Sequence, residues 1–190
     1  MTHLSDLRLN TGRLRLREFR PDDRVALLDF VHDRDQLRHL VHRLDTEAEL
    51  DDFLALARAT SEAPARRAWH LAVEEANRPG CIGCVSLMIE PDWPTSAELG
   101  IWLKRGAWGR GYATEALRHL IEWGFQAQGL HRIWAECAAD NPASARVLEK
   151  SGMRLEGRLR EHRWIKDHYR ASLIYAVLEH DSRNPDPIGP

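Results

Sequence analysis

The sequence predicts a single α/β domain, a mixed and mostly antiparallel central sheet flanked by helices. Three observations predict it. Stretches of period-two alternation are interleaved with stretches of helical spacing. Their order reads strand, two helices, three strands, helix, strand, helix, two strands. No repeat or internal linker divides the 190 residues, a length that suits one domain with one substantial core. The expected boundaries are a domain over residues 1–181 and a flexible tail over 182–190, whose last seven residues run Asn184 to Pro190.

Each element has its own signal. Thr11 to Phe19 sets Leu14, Leu16 and Phe19 against Arg13, Arg15 and Arg17, the alternation of a half-buried strand. Pro21, Asp22 and Asp23 supply a turn, an N-cap candidate and early negative charge for a helix carrying Val25, Leu27, Leu28 and Val31. A second helix is expected from Thr46, with Glu49 completing a capping box. Ala68 to Glu74 and Cys81 to Ile89 are apolar runs joined by Asn77, Arg78, Pro79 and Gly80, a hairpin signature, and Ala97 to Leu103 extends it to a meander. After the glycine-rich stretch 106–111, Thr114 to Gln128 has Ala116, Leu117, Leu120, Ile121 and Phe125 at helical spacing. Arg132 to Ala138 reads as a strand, Pro142 to Ser151 as a short helix closed by Gly152, and 153–160 and 171–178 as the last two strands.

Composition narrows the function classes. With 27 basic and 29 acidic side chains the formal charge is -2, so no global field attracts a polyanion, and no nucleic-acid partner is expected. No run of about 18 apolar residues is present, and Met1 to Asn10 mixes His, Asp and Arg where a signal peptide has an apolar block. The expectation is a cytoplasmic protein with no membrane association, as a monomer or a homodimer. Three cysteines, with one CxxC at Cys81 and Cys84, match neither a disulfide framework nor a four-ligand zinc site, and no metal is expected.

Gly106-Ala107-Trp108-Gly109-Arg110-Gly111-Tyr112-Ala113 joins a strand to a helix. Glycines let backbone N–H groups approach a ligand closely, and the positive end of the helix dipole favours an anion there. Two phosphate-binding motifs fail on spacing. A mononucleotide loop needs Lys followed by Ser or Thr directly after its glycines, and a dinucleotide fingerprint reads GxGxxG where this segment reads GxxGxG. A glycine-rich turn that binds nothing is the plain alternative.

The loop occurs in a wider pattern. GAWGRGYATEAL, an apolar strand ending in Glu136, Asp140-Asn141-Pro142-Ala143-Ser144 and Val147-Leu148-Glu149-Lys150-Ser151-Gly152-Met153 together resemble the GNAT superfamily of N-acetyltransferases, RimJ/RimL-type branch. Thr11 to Arg17 and Ala97 to Leu103 also resemble that branch. The resemblance implies acetyl-CoA as co-substrate and a primary amine as acceptor, either a peptide or protein N-terminus or a small amine. It also implies an opened sheet between Leu99–Leu103 and Ile133–Cys137 that takes the pantetheine arm. By the same resemblance the coenzyme contacts are Ile101, Trp102, Leu103, Trp108, Gly109, Arg110, Gly111, Tyr112, Ala113, Thr114 and Asn141. The family's loop usually opens with Gln or Arg three residues before its first glycine, and Gly106 stands there, which leaves charge to Arg110, Lys104 or Arg105.

Acyl transfer to an amine needs a proton acceptor for the ammonium and a proton donor for the departing thiolate. Glu136 and Glu98 are the candidate bases, in that order, each with a solvated strand-face role as its alternative. Leu148 occupies the position where many family members place a Tyr, and the resemblance implies Ser144 as the acid, because RimL-like proteins place a Ser there within reach of the sulfur; a first-turn hydroxyl serving a local N–H is its alternative. Asn141 has a second role open to it, capping the helix that Pro142 begins. A succinyl-CoA-dependent transferase and a catalytically inactive acyl-CoA-binding module are the competing functions. Cys81 and Cys84 read as buried strand thiols, and His39 and His42 as an acceptor-site face or a solvated one. Trp69, Trp102 and Trp134 read as core, and Trp93, Trp108 and Trp164 as loop aromatics near the acceptor cleft.

Overall fold

A computed structural model describes residues 7–37, 44–165 and 167–183. Antiparallel pairing runs from β1 (Arg8–Asn10) through β2 (Leu14–Arg17), β3 (Ala68–Glu75) and β4 (Arg78–Ile89) to β5 (Ser96–Leu103), each strand beside its predecessor. β5 then pairs in parallel with β6 (Arg132–Ala138), and β8 (His168–Leu178) and β7 (Arg154–Ile165) complete an eight-stranded sheet ordered β1-β2-β3-β4-β5-β6-β8-β7. A parallel step requires a long crossover, and α4 (Tyr112–Gln128) supplies it.

Strand alternation sorts the side chains onto two faces. Leu14, Leu16, Leu71, Leu87, Leu99 and Ile133 point to the face covered by α4 and α5 (Pro142–Lys150) and pack with Leu117, Leu120 and Leu148. The opposite face packs Ala72, Cys81 and Trp102 against α1 (Asp23–Val31), the short α2 (Arg34–Leu37) and α3 (Glu47–Ser61) through Leu27, Phe30 and Leu50. Trp102 stacks on Phe30 at 4.4 Å between ring centroids and meets Phe53 edge-on, anchoring those helices to the middle of the sheet. A short α6 (Glu179–Arg183) follows β8.

Several boundaries differ from the sequence expectation for identifiable reasons. The first strand stops at Arg17, because the chain turns there into a buried ion cluster. The Arg17 guanidinium, 4% exposed, donates to both oxygens of Asp23 at 2.7 and 2.8 Å and reaches Glu74 at 3.3 Å. Asp22 makes no side-chain cap on α1, and Asp23 instead accepts from the Arg20 amide at 2.8 Å. The capping box at Thr46 forms on one side only. Thr46 Oγ1 accepts from the Glu49 amide, whereas the Glu49 carboxylate takes the Asp45 amide. β1 was not foreseen: three residues are too few for an alternation to register. β7 and β8 are longer than expected and form a hairpin in which a bulge between Leu159 and Arg163 interrupts the register. Cys81 and Cys84 are buried free thiols on β4, and burial pushes the Cys81 thiol up to about 12. His39, His42 and residues 184–190 lie outside the described residues.

A buried ion cluster sets a stability test. Removing one partner leaves an unpaired charge in the interior, so Asp23→Ala is expected to cost about 3 kcal/mol in urea unfolding. An exposed pair such as Arg58 with Glu62 is expected to be worth under about 1 kcal/mol by the same measurement.

Candidate active site

The site begins where the sheet opens. β5 and β6 pair only at Ser96↔Arg132, Ala97↔Ile133 and Glu98↔Trp134. Beyond that point β5 stays registered with β4 as far as Leu103, and β6 stays registered with β8 as far as Ala138. The closed end is held by Thr95, whose carbonyl accepts the amides of both His131 and Arg132. The facing edges of residues 99–103 and 135–138 therefore form a seam lined by main-chain groups, including Ile101, Trp102 and Leu103.

β5 leads across a 3₁₀ turn (Arg105–Ala107) into the glycine loop at the start of α4. Gly109 and Gly111 both take left-handed backbone angles, φ 72° and 78°, a region that L side chains enter at a cost. Trp108 spends its amide on the Arg105 carbonyl at 3.0 Å and its indole N–H on the Leu103 carbonyl at 2.7 Å. The run of unpartnered amides therefore starts at the next residue. The next amide that bonds back is that of Glu115, to the Gly111 carbonyl. Between these, the amides of Gly109, Arg110, Gly111, Tyr112, Ala113 and Thr114 have no hydrogen-bond partner among the described residues. Six free donors at a helix N-terminus are a geometry that suits an anion. The Arg110 side chain lies 3.5 Å from Glu75, which also accepts from the Tyr112 hydroxyl at 3.2 Å.

α5 borders the other side of the seam. Asn141 Oδ1 accepts the Ser144 amide at 3.1 Å with Pro142 at the first helical position, so the capping role expected of Asn141 is present. Ser144 stands near the Cys137 thiol on β6. Burial drives that thiol up to about 11, and Ser144 opposes the push.

Glu136 lies one residue before Cys137 and therefore on the other face of β6. Its side chain is 5% exposed, yet both oxygens are occupied. Arg163 donates to them at 3.2 and 2.8 Å, and the Ser172 hydroxyl donates at 2.6 Å. His162 Nδ1 lies 3.3 Å away. Burial pushes this carboxyl upward, but the Arg163 and Ser172 hydrogen bonds and the nearby charges outweigh it, and the group is held below the usual carboxylate range. Glu98 sits at the vertex of the seam, on the face shared with Glu136, and its charge bears on Arg163. The structure thus brings Glu98 and Glu136 together, and Ser144 with Cys137, on opposite sides of one strand. Arg163, Ser172 and Cys137 escaped the sequence reading. The first two arrive by hairpin register across 27 and 36 residues of chain, which no local pattern announces. The third shares the alternation of Ile133 and Ala135, which was legible.

An open parallel seam beside a glycine loop with unpartnered amides is the geometry that defines this site. Residues 13–154 match the model of the acetyltransferase (GNAT) domain, and the chain belongs to this family of N-acetyltransferases. It is 28% identical over 180 residues to the uncharacterised N-acetyltransferase YnaD of Bacillus subtilis (strain 168), covering 92% of this chain and 99% of that one. It is 38% identical over 98 residues to the ribosomal-protein-serine acetyltransferase of Escherichia coli (strain K12), covering 51% and 54%. Among solved structures, RimL, the ribosomal L7/L12 alpha-N-protein acetyltransferase in complex with coenzyme A, superposes with a TM-score of 0.78 at 20% identity, over 90% of this chain and 98% of that one. RimJ/RimL-like enzymes are thus among its relatives.

The depressed carboxyl of Glu136 has a pH consequence. A group whose folded value lies below its unfolded one contributes stability that is complete above the ordinary carboxylate range and is lost as pH falls through the folded value. Glu136→Gln is expected to lower the thermal midpoint at pH 7. The gap to the unmodified protein should close as both are titrated below about pH 4 in thermal scans.

Proposed function

We propose that this N-acetyltransferase draws its acetyl group from acetyl-CoA and delivers it to a primary amine, with a peptide or protein N-terminus as the leading acceptor class. One observation carries the reading: the run of unpartnered amides from Gly109 to Thr114 stands at the mouth of a seam that stays open from residue 99 onward. A pyrophosphate suits the amides, and an extended pantetheine arm suits seam-facing N–H and C=O groups that a neighbouring strand would otherwise occupy. RimL, named for a protein N-terminus and solved with coenzyme A, supports the donor and the acceptor class by likeness.

The chemistry then follows from what each group is able to do. The amine lone pair attacks the thioester carbonyl carbon, the C–S bond breaks, and the sulfur takes a proton from the Ser144 hydroxyl as that hydroxyl takes one from solvent water. A seam-facing main-chain N–H carries the developing charge on the carbonyl oxygen. The ammonium proton leaves toward the face of Glu98 and Glu136. Because Glu136 is committed to Arg163 and Ser172 and is a weakened proton acceptor, its role is to receive the proton through water, with Glu98 at the vertex as the second carboxylate. Asn141 keeps its capping bond while its amide nitrogen serves the pantetheine.

Incubation with acetyl-CoA and a panel of peptides and small amines is expected to release free thiol and add one acetyl mass to the acceptor. Coenzyme binding with no transfer to any amine would favour the binding-module alternative, and preference for succinyl-CoA would correct the donor. Ser144→Ala is expected to lower kcat roughly a hundredfold with little change in KM. Gly111→Val, which forces a β-branched residue to φ 78°, is expected to weaken CoA binding roughly tenfold or more in calorimetry.

A further inference from the structure

The glycine loop faces a physical difficulty. Six unpartnered amides clustered at a helix end repel one another, and the flanking glycines leave the peptide planes free to rotate. Something outside the loop must hold its carbonyls away from an incoming phosphate. Arg13, 97 residues earlier, is built to do so. Its own backbone is tied to the sheet, since the Ala76 amide donates to the Arg13 carbonyl at 2.8 Å. Its amide donates to Glu115 Oε1 at 2.8 Å, and its Nε donates to Glu115 Oε2 at 2.6 Å. The Thr11 hydroxyl donates to the same carboxylate, so Glu115 is fixed from two residues of the turn before β2. The guanidinium lies over the Tyr112 ring at 4.9 Å, and Nη1 donates to the Arg110 carbonyl at 3.0 Å.

That last bond matters because of peptide geometry. The Arg110 carbonyl and the Gly111 N–H belong to one trans peptide plane and point in opposite directions. We propose that Arg13 is a positioning residue for the donor loop: by holding the Arg110 carbonyl, it aims the Gly111 amide at the pyrophosphate. Glu115 neutralises the guanidinium and orients its fork, so Arg13 works through the loop rather than as a phosphate ligand. A lysine has no planar fork with which to serve Glu115 and the carbonyl together. The inference rests on the proposed pyrophosphate role of the amides, and its test separates the two.

The test is CoA affinity by calorimetry in the unmodified protein, Arg13→Ala and Arg13→Lys, together with thermal midpoints without ligand. Both variants are expected to bind CoA about tenfold more weakly, as loss of one charge-assisted hydrogen bond implies. The Lys variant, which keeps the charge opposite Glu115, is expected to retain its midpoint within the error of the scan. Free guanidinium ion is expected to restore part of the affinity of Arg13→Ala, which a general loss of structure would not permit. Affinity within twofold of the unmodified protein in both variants, or weakening that tracks a fallen midpoint and ignores guanidinium, overturns the positioning role. An unmodified protein that binds no CoA overturns the pyrophosphate reading itself, and this inference with it.

Discussion

Strand geometry imposes the constraint from which the site follows. Successive residues of β6 point to opposite faces, so Glu136 and Cys137, with Ser144 above it, are separated by the thickness of the sheet. In a closed sheet a reactant on one face never meets a group on the other. Here the ladder between β5 and β6 ends after Glu98↔Trp134, and in the proposed mechanism the gap beyond lets one thioester carbon face a carboxylate on one side while its sulfur faces a hydroxyl on the other. In that proposal acid and base are divided by the pleat and rejoined by the break in pairing.

The break is stable because the far edge of each flanking strand is satisfied. β5 keeps a full ladder with β4 and β6 keeps one with β8, so opening the seam forfeits bonds on one edge only. Separate packing holds the two sides apart. Leu99, Ile101 and Leu103 belong to the core beneath α4, and Ala135 and Cys137 to the part of it beneath α5. On the opposite face Trp102 is locked between Phe30 and Phe53. The loop at the mouth joins both systems. Arg105 pairs with Asp33 after α1, and that pairing holds the Asp33 carboxyl down to about 2. Lys104 donates to the Ala26 carbonyl of α1. The elements carrying the glycine loop are thereby tied to α1 and the turn after it.

Much of this was legible in the sequence. The central strands announce themselves because they alternate or run apolar for seven or more residues, and α4 because Ala116, Leu117, Leu120, Ile121 and Phe125 mark one face. The glycine loop was readable because only glycine enters left-handed backbone cheaply, and two of its glycines do so. What stayed hidden depends on register between distant segments. Arg163 reaches Glu136 only because the β7–β8 hairpin bulges between Leu159 and Arg163, and a bulge has no residue signature here. Where the run of unpartnered amides begins was hidden too, because whether the Trp108 N–H turns inward depends on the 3₁₀ turn before it. Arg13 read as the polar face of a strand, since its partners Arg110 and Glu115 lie about a hundred residues away.

Amide hydrogen exchange, with and without CoA, tests the open seam most directly. The amides of residues 109–114 and the seam-facing amides of 99–103 and 135–138 are expected to exchange readily in the free protein, while those bonded to β4 and β8 are protected. Saturating CoA is expected to slow the first group and leave the second unchanged. Seam amides already protected without CoA, or indifferent to it, would mean that β5 and β6 zip together in solution, and the account of how one strand presents two faces to one reactant would fail.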